Sequence, residues 1–163
     1  SRIESGKVPM KLESMNIKEL TDALSDMFSP VLNEKKIHLI VDLPAGQNKV
    51  LADATQIKRA FVNLIGNAAK FTPAGGLITV KVTDCGENLK IEISDTGIGI
   101  APPDLAKIFD EFFRVDNSIN QTVKGTGLGL SLVRSIVEAH ASKIEVKSAL
   151  GKGTTFSFIL RKS

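Results

Sequence analysis

Asn63, Asn67 and Lys70 stand at i, i+4 and i+7, a spacing that puts all three on one face of a helix. Asparagine is a mediocre helix former because its side chain competes with the backbone for hydrogen bonds, so two of them one turn apart need a reason. A solvated helix face is one reason. A polyphosphate site is another: an amide oxygen is a hard ligand suited to Mg²⁺, phosphate oxygens would complete its coordination, and Lys70 would place a positive charge on the phosphates. A second stretch, Asp95-Thr96-Gly97-Ile98-Gly99-Ile100, follows a strand. A carboxylate at a strand end can accept from an exocyclic amine such as that of adenine, and paired glycines let a backbone approach a ligand closely. An ordinary strand-to-loop turn would read the same way. A third stretch, Gly125-Thr126-Gly127-Leu128-Gly129-Leu130, opens a helix. Glycines there expose N–H groups to an anion at the positive end of the helix dipole, or simply cap and pack it. Neither glycine stretch is a dinucleotide fingerprint, since the third required glycine is replaced by Leu130 in one and Pro102 in the other. The G-x-x-x-x-G-K-[ST] phosphate loop is absent.

These residues need elements to hold them. Asp53 reads as the N-cap of a helix to about Phe71, ended by Pro73 and Gly75-Gly76. Its apolar Ile57, Phe61, Leu64, Ile65 and Ala68 point away from the Asn63 face. Leu77 to Asp84 and Leu89 to Asp95 read as a hairpin around Cys85-Gly86-Glu87-Asn88, which leaves Asp95 at a strand end. Leu128 to Ala141 reads as a helix, and Lys143 to Ser148 and Thr154 to Arg161 as a closing strand pair. Upstream, Asn16 would cap a helix from Ile17 to about Lys36 with Pro30 kinking it, followed by strands at Ile37 to Leu43 and Lys49 to Ala52. Asp95 to Gly127 is loop-rich, with one or two short helices around Pro103 to Phe113, and so long an irregular stretch is usually functional. The expected fold is an α/β two-layer sandwich, a mixed sheet of about five strands with three helices on one face.

Composition narrows the function classes. A chain of 163 residues accommodates one domain, and 42% hydrophobic residues supply its core. Twenty-one Lys and Arg against 18 Asp and Glu leave +3, too thin an excess to argue for nucleic acid. Eight Phe without Trp or Tyr make a poor base-stacking platform. The single Cys85 excludes an internal disulfide or thiolate cluster, and His38 and His140 lie too far apart in sequence to suggest a metal site. No apolar run approaches the ~20 residues of a membrane span, and the N-terminus has no apolar signal core. The start at Ser1 is that of an excised piece, and a cytosolic-type domain is expected.

The three stretches, in this order, resemble the catalytic and ATP-binding domain of sensor histidine kinases, within the ATPase group that includes gyrase, Hsp90 and the MutL proteins. Asn63-Leu64-Ile65-Gly66-Asn67-Ala68-Ala69-Lys70-Phe71-Thr72-Pro73 resembles the family's asparagine box, and Asp95 to Ile100 its first glycine box. Ile108-Phe109-Asp110-Glu111-Phe112-Phe113-Arg114 resembles its phenylalanine box, Gly125 to Leu130 its second glycine box, and Gly151 to Phe156 its closing glycine-threonine turn. The resemblance runs from about Ile17 to Leu160. Arg2-Ile3-Glu4-Ser5-Gly6-Lys7 is similar to the end of the helix that precedes this domain. Residues 1–15 are therefore assigned to the end of a dimerisation and phosphotransfer helix with its linker, and 16–163 to the catalytic domain.

The resemblance implies a Bergerat ATP-binding fold, with ATP and Mg²⁺ as cofactors. Asp95 would hold the adenine amino group, and Gly97, Ile98, Gly99, Ile100 and Thr154 would also be nucleotide-binding. Asn67 would ligate Mg²⁺, with Asn63 and Lys70 at the phosphates and Phe71 among the nucleotide-binding residues. Residues 114–124 would form a mobile lid anchored by Phe109, Phe112 and Phe113, with Arg114 and Lys124 reaching the phosphates. Gly125, Thr126, Gly127, Leu128, Gly129 and Leu130 would line the nucleotide. Hydrolysing relatives place a Glu four residues before the metal-ligating Asn. Here that residue is Asn63, and a neutral amide cannot act as a general base, which favours transfer to a separate acceptor. A degenerate nucleotide-binding module, a hydrolysing ATPase and an anti-sigma-type serine kinase are the alternatives. Neither His38 nor His140 lies in the family's phosphoacceptor setting, so the substrate histidine would belong to helices of the parent protein, with a response regulator as its further partner. The fragment would be monomeric and its parent a homodimer. His140 matches a structural family position, but Ala141-Ser142 stands where the family usually has two glycines.

Overall fold

The computed structural model describes residues 9–115 and 129–163. Its elements are β1 (Glu13–Asn16), α1 (Ile17–Lys35), β2 (His38–Asp42), β3 (Lys49–Ala52), α2 (Ala54–Phe71), β4 (Leu77–Asp84), β5 (Asn88–Asp95), α3 (Pro102–Leu105), α4 (Gly129–Ala139), β6 (Glu145–Ser148) and β7 (Thr154–Arg161). Five strands form one mixed sheet in the order β2-β4-β5-β7-β6, parallel between β2 and β4 and antiparallel elsewhere. The expected sheet is therefore present.

Period-two alternation makes that sheet one-sided. Ile78, Val80 and Val82 of β4, Leu89, Ile91 and Ile93 of β5, and Phe156, Phe158 and Leu160 of β7 are all buried. All but Ile78 share one core with Ile57, Phe61 and Leu64 of α2 and Val133, Ile136 and Val137 of α4, while Ile78 packs in a second cluster with Leu32, Ile37, Ala68 and Ala69. Phe61 meets Phe158 edge to face at 6.0 Å between ring centroids. The opposite face is polar, with the cross-strand row Asp42–Lys81–Glu92–Ser157–Glu145.

Two details go beyond the sequence expectation. Lys49–Ala52 does not join the main sheet but pairs antiparallel with Glu13–Asn16 in a separate ribbon that buries Met15, Val50 and Ala52. Helix α1 runs unbroken through Pro30. Pro30 and Asp26, whose carbonyl loses its helical donor there, are both exposed, so water can satisfy the carbonyl. The Asn16 side chain caps α1 as expected, accepting from the N–H groups of Lys18 at 2.9 Å and Glu19 at 3.3 Å.

Candidate active site

Helices α2 and α4 enclose a cleft of about 230 Å³ lined by Val62, Asn63, Gly66, Asn67, Lys70, Gly129 and Leu130. The inward stripe of α2 (Ile57, Phe61, Leu64, Ala68) is buried against the sheet, which turns the Asn63–Asn67–Lys70 face toward α4. The Asn63 amide N donates to the Arg59 carbonyl at 2.8 Å. Its Oδ1 is left beside Gly129, where a Cβ would stand only 3.0 Å away. The far end of α2 is fastened by Lys35 of α1, whose Nζ donates to the Ala69 carbonyl. Lys70 Nζ lies 4.8 Å from the centroid of the Phe71 ring. Burial chiefly, and the Arg114 guanidinium second, hold Lys70 below the ordinary lysine pKa. Lys70 in the cleft, with the Arg114 charge close enough to act on it, favours an anionic ligand.

Asp95 ends β5, opposite Thr154 of β7. Burial pushes its carboxyl above the usual carboxylate range, against the opposing effect of hydrogen bonds from the Gly97 and Thr154 N–H groups. The Gly97 N–H reaches Asp95 Oδ1 at 2.8 Å. Gly97 is required there, because a Cβ would fall 2.6 Å from the Phe71 carbonyl oxygen and 2.8 Å from Asp95 Oδ1. The Ile98 N–H donates to the same Phe71 carbonyl at 3.2 Å, so the end of α2 and the Asp95 loop are tied together. Gly99 takes φ +75, and a Cβ there would meet the Ala149 carbonyl. The loop's other anchor is Ser148, whose hydroxyl accepts from the Ile100 N–H at 2.8 Å, donates to the Gly153 carbonyl at 2.7 Å and lies 2.8 Å from Thr154 Oγ1.

The structure thus brings Asn63, Asn67, Lys70, Gly129 and Leu130 into one cleft and places Phe71 between it and the Asp95–Ile100 loop. Phe109 packs edge-on against Phe156 at 6.1 Å, and Phe113 also lies against the core. Phe112 does not anchor as expected: it is 69% exposed and has φ 64. Lys124, Gly125, Thr126, Gly127 and Leu128, most of the expected lid, and residues 1–8 lie outside the described residues. Sequence reasoning missed Val62 and the bracing role of Ser148. Val62 and Gly66 precede Asn63 and Asn67 by one position each, so the helical face itself implied them; nothing local marks Ser148.

The lining offers amide oxygens and cations. Among the described residues no group of three or more His, Cys, Asp or Glu could hold a metal. This donor set fits Mg²⁺ only as an ion carried by phosphate oxygens, with Asn67 as one protein ligand. Also among the described residues, no helix is long and apolar enough to cross a membrane.

Comparison with known proteins agrees with this geometry. Residues 52–163 match the family of histidine kinase-, DNA gyrase B- and HSP90-like ATPases. The sensor histidine kinase WalK of Bacillus subtilis is 35% identical over 98% of this chain and 26% of its own length. The chain spans between 19% and 29% of the first curated relatives it matches. The nucleotide-free catalytic domain of the histidine kinase ThkA superposes with a TM-score of 0.81 at 29% identity, covering 94% of this chain and 97% of that one. ThkA has also been solved in complex with the response regulator TrrA, with a TM-score of 0.80 at 25% identity over 99% of this chain and 46% of that one. Full-length ShkA with AMPPNP gives a TM-score of 0.84 at 26% identity, over 98% of this chain and 34% of that one. With the sheet order, the asparagine-bearing helix and the half-buried strand-end carboxylate all in place, this chain belongs to the histidine kinase-, DNA gyrase B- and HSP90-like ATPase family, as an ATP-binding domain of the sensor histidine kinase kind.

Proposed function

We propose that this domain binds Mg-ATP and transfers its γ-phosphoryl group to a histidine on a phosphotransfer helix of the parent protein. The observation that carries this reading is the convergence of Asn63, Asn67 and Lys70 with the start of α4 on one cleft. Asp95 accepts the adenine amino group, and Gly97 to Ile100 with Thr154 frame the base. Asn67 holds the metal, while Asn63, Lys70 and Arg114 contact the phosphates, joined by Lys124 and the 125–128 glycines. When bound, Mg²⁺ supplies charge neutralisation on the β- and γ-phosphates. The protein's share is positioning, since the P–O bond to the β-phosphate breaks as the acceptor imidazole forms an N–P bond. Hydrolysis is disfavoured because Asn63, at the base position of hydrolysing relatives, carries a neutral amide already engaged with the Arg59 carbonyl. By analogy with ThkA and TrrA, the phosphoryl group passes onward to a response regulator. We assign dimerisation to the parent's helices, with the residues before β1 as the link to them and the rest, β1 included because Met15 packs in the core, as a monomeric catalytic domain beside the membrane or in the cytoplasm.

The test mixes this chain with a separate phosphotransfer-helix fragment and γ-labelled ATP. Acid-labile, base-stable label on that fragment is expected, and Asn67→Ala should abolish it. Acid-stable label, or release of phosphate to water alone, would overturn histidine transfer.

A further inference from the structure

His140 follows the end of α4, outside the nucleotide cleft, yet it joins the two helices that form the cleft. The Asp53 N–H donates to His140 Nε2 at 3.0 Å, and His140 Nδ1 lies 2.8 Å from the Ile136 carbonyl oxygen. A ring nitrogen facing an N–H must be the bare acceptor, so the proton resides on Nδ1 and is donated to Ile136. Both bonds exist together only in the neutral Nδ1–H tautomer.

Each bond answers a need of a helix end. Asp53 is the N-cap of α2, and its Oδ1 accepts from the Gln56 N–H at 3.2 Å, which is half of a capping box. In the full box the third-position side chain returns to the N-cap N–H. Here Gln56 instead accepts from Arg59 at 3.3 Å, and His140 of another helix takes the Asp53 N–H. The Ile136 carbonyl lies in the last turn of α4, where carbonyls lack helical donors.

The placement gives the contact leverage. Asp53 meets His140 at one end of the helix pair, and Asn63 meets Gly129 at the other. Ten residues along α2 thus match eleven along α4, about 16 Å of antiparallel helix. The pair is pinned at the His140 end and open at the cleft. The same Asp53 carboxylate accepts from the Lys11 N–H through Oδ2 at 3.1 Å, which fastens the segment leading into β1 to the same point.

We propose that His140 is a positioning residue for nucleotide binding, its neutral Nδ1–H ring clamping the start of α2 to the end of α4 and so fixing Asn63, Asn67 and Lys70 against Gly129 and Leu130. This rests on the reading of the cleft as the polyphosphate site. Its signature is selective: the triphosphate half of the ligand depends on the clamp, whereas the adenine half, held at β5 and β7, does not.

The test measures Mg-ATP and adenosine binding to this chain by calorimetry, for the wild type, His140→Leu and His140→Gln. An ångström of misplacement at a positioned site can cost up to ~100-fold in rate, and affinity for the positioned group should fall in the same direction. His140→Leu is expected to weaken Mg-ATP about tenfold with adenosine unchanged, and His140→Gln, whose Oε1 sits near the Nε2 position, to recover most of it. Equal Mg-ATP affinity in all three proteins, or equal losses for ATP and adenosine, would overturn the positioning role while leaving the site reading intact. Failure of the wild type to bind Mg-ATP would overturn both. A measurement that needs no variant is the ¹⁵N signature of the His140 ring at pH 8. A neutral Nδ1–H tautomer is expected, and the Nε2–H tautomer would overturn the clamp.

Discussion

Asp95 is the residue whose environment says most about its role. Burial raises its carboxyl pKa while the Gly97 and Thr154 N–H groups oppose the rise, so a carboxylate is kept at a site where its charge is costly. The cost has a sign in pH. The folded form holds its proton more tightly than the unfolded chain, so this group's favourable share of stability is full below the ordinary carboxylate pKa. It is lost as pH rises through the raised folded value. Binding runs the other way, because an amino donor on adenine needs the ionised acceptor, so nucleotide affinity should rise over that window. Asp95→Asn keeps an oxygen for Gly97 but can turn an NH₂ toward the adenine amine. Nucleotide affinity should fall by about 1.5–3 kcal/mol, the worth of a hydrogen bond to a charged group. The melting temperature of the nucleotide-free domain should hold or rise. Calorimetry and thermal unfolding from the ordinary carboxylate pKa of 3.8 up to pH 8 would check both, and unchanged affinity would remove Asp95 from the adenine site. Asp95 and the Asn63 face stood out in the sequence by residue type and spacing, but a solvated face and an ordinary turn read the same way, and only the family resemblance made them site candidates. Ser148 did not stand out, because its three hydrogen-bond partners are brought to it only by the β6–β7 turn and the Asp95 loop.

Elements were legible where periodicity was long. The apolar stripe of α2 repeats through eighteen residues, and β4 and β5 alternate through eight each. The four residues of β1 carry one buried side chain, Met15, too little for an alternation to show, and β3 supplies the pairing that defines it. Phe112 was misjudged for a related reason: three phenylalanines in five positions read as core, but a left-handed φ turns the middle one out. The end of α4 shows how a substitution is absorbed. Ala141 takes φ 56, and both the Ser142 N–H and the His140 N–H bond to the Val137 carbonyl, closing the helix around a left-handed residue. Glycine adopts that conformation without the Cβ penalty, offset in part by its unfolded-state entropy. Ala141→Gly should therefore stabilise the domain by about 0.5–1 kcal/mol, seen as a higher denaturation midpoint at unchanged slope. The same change at Ser142 should not, because its hydroxyl accepts from the Ile159 N–H at 3.1 Å, beyond the last pair of β6 with β7. A destabilised Ala141→Gly would mean that φ at this position carries no strain.

At the scale of the whole molecule, the proposed site would rest the ligand's halves on segments far apart in sequence: α2 and α4 at the phosphates, β5 and β7 at the base. A nucleotide spanning them ties the two layers of the sandwich together and should stabilise the domain as a unit. At a hundredfold excess over Kd the linkage is worth about 2.7 kcal/mol, and for a chain of this size that amounts to a rise of roughly 5–10 °C in melting temperature. Mg²⁺ should contribute only through the nucleotide. The described lining of the cleft holds the Asn63 and Asn67 amides and Lys70 but no carboxylate, so a free divalent cation would exchange its hydration shell for neutral ligands beside a positive charge. Thermal unfolding should therefore show no shift with Mg²⁺ alone, a modest rise with ATP and chelator, and the full rise only with both. Asn67→Ala should remove the difference between the last two while leaving the rise with ATP and chelator in place, since Asp95 and the cations remain. A melting temperature that responded to Mg²⁺ without nucleotide would place a metal site elsewhere in the chain and take Asn67 out of the role assigned to it.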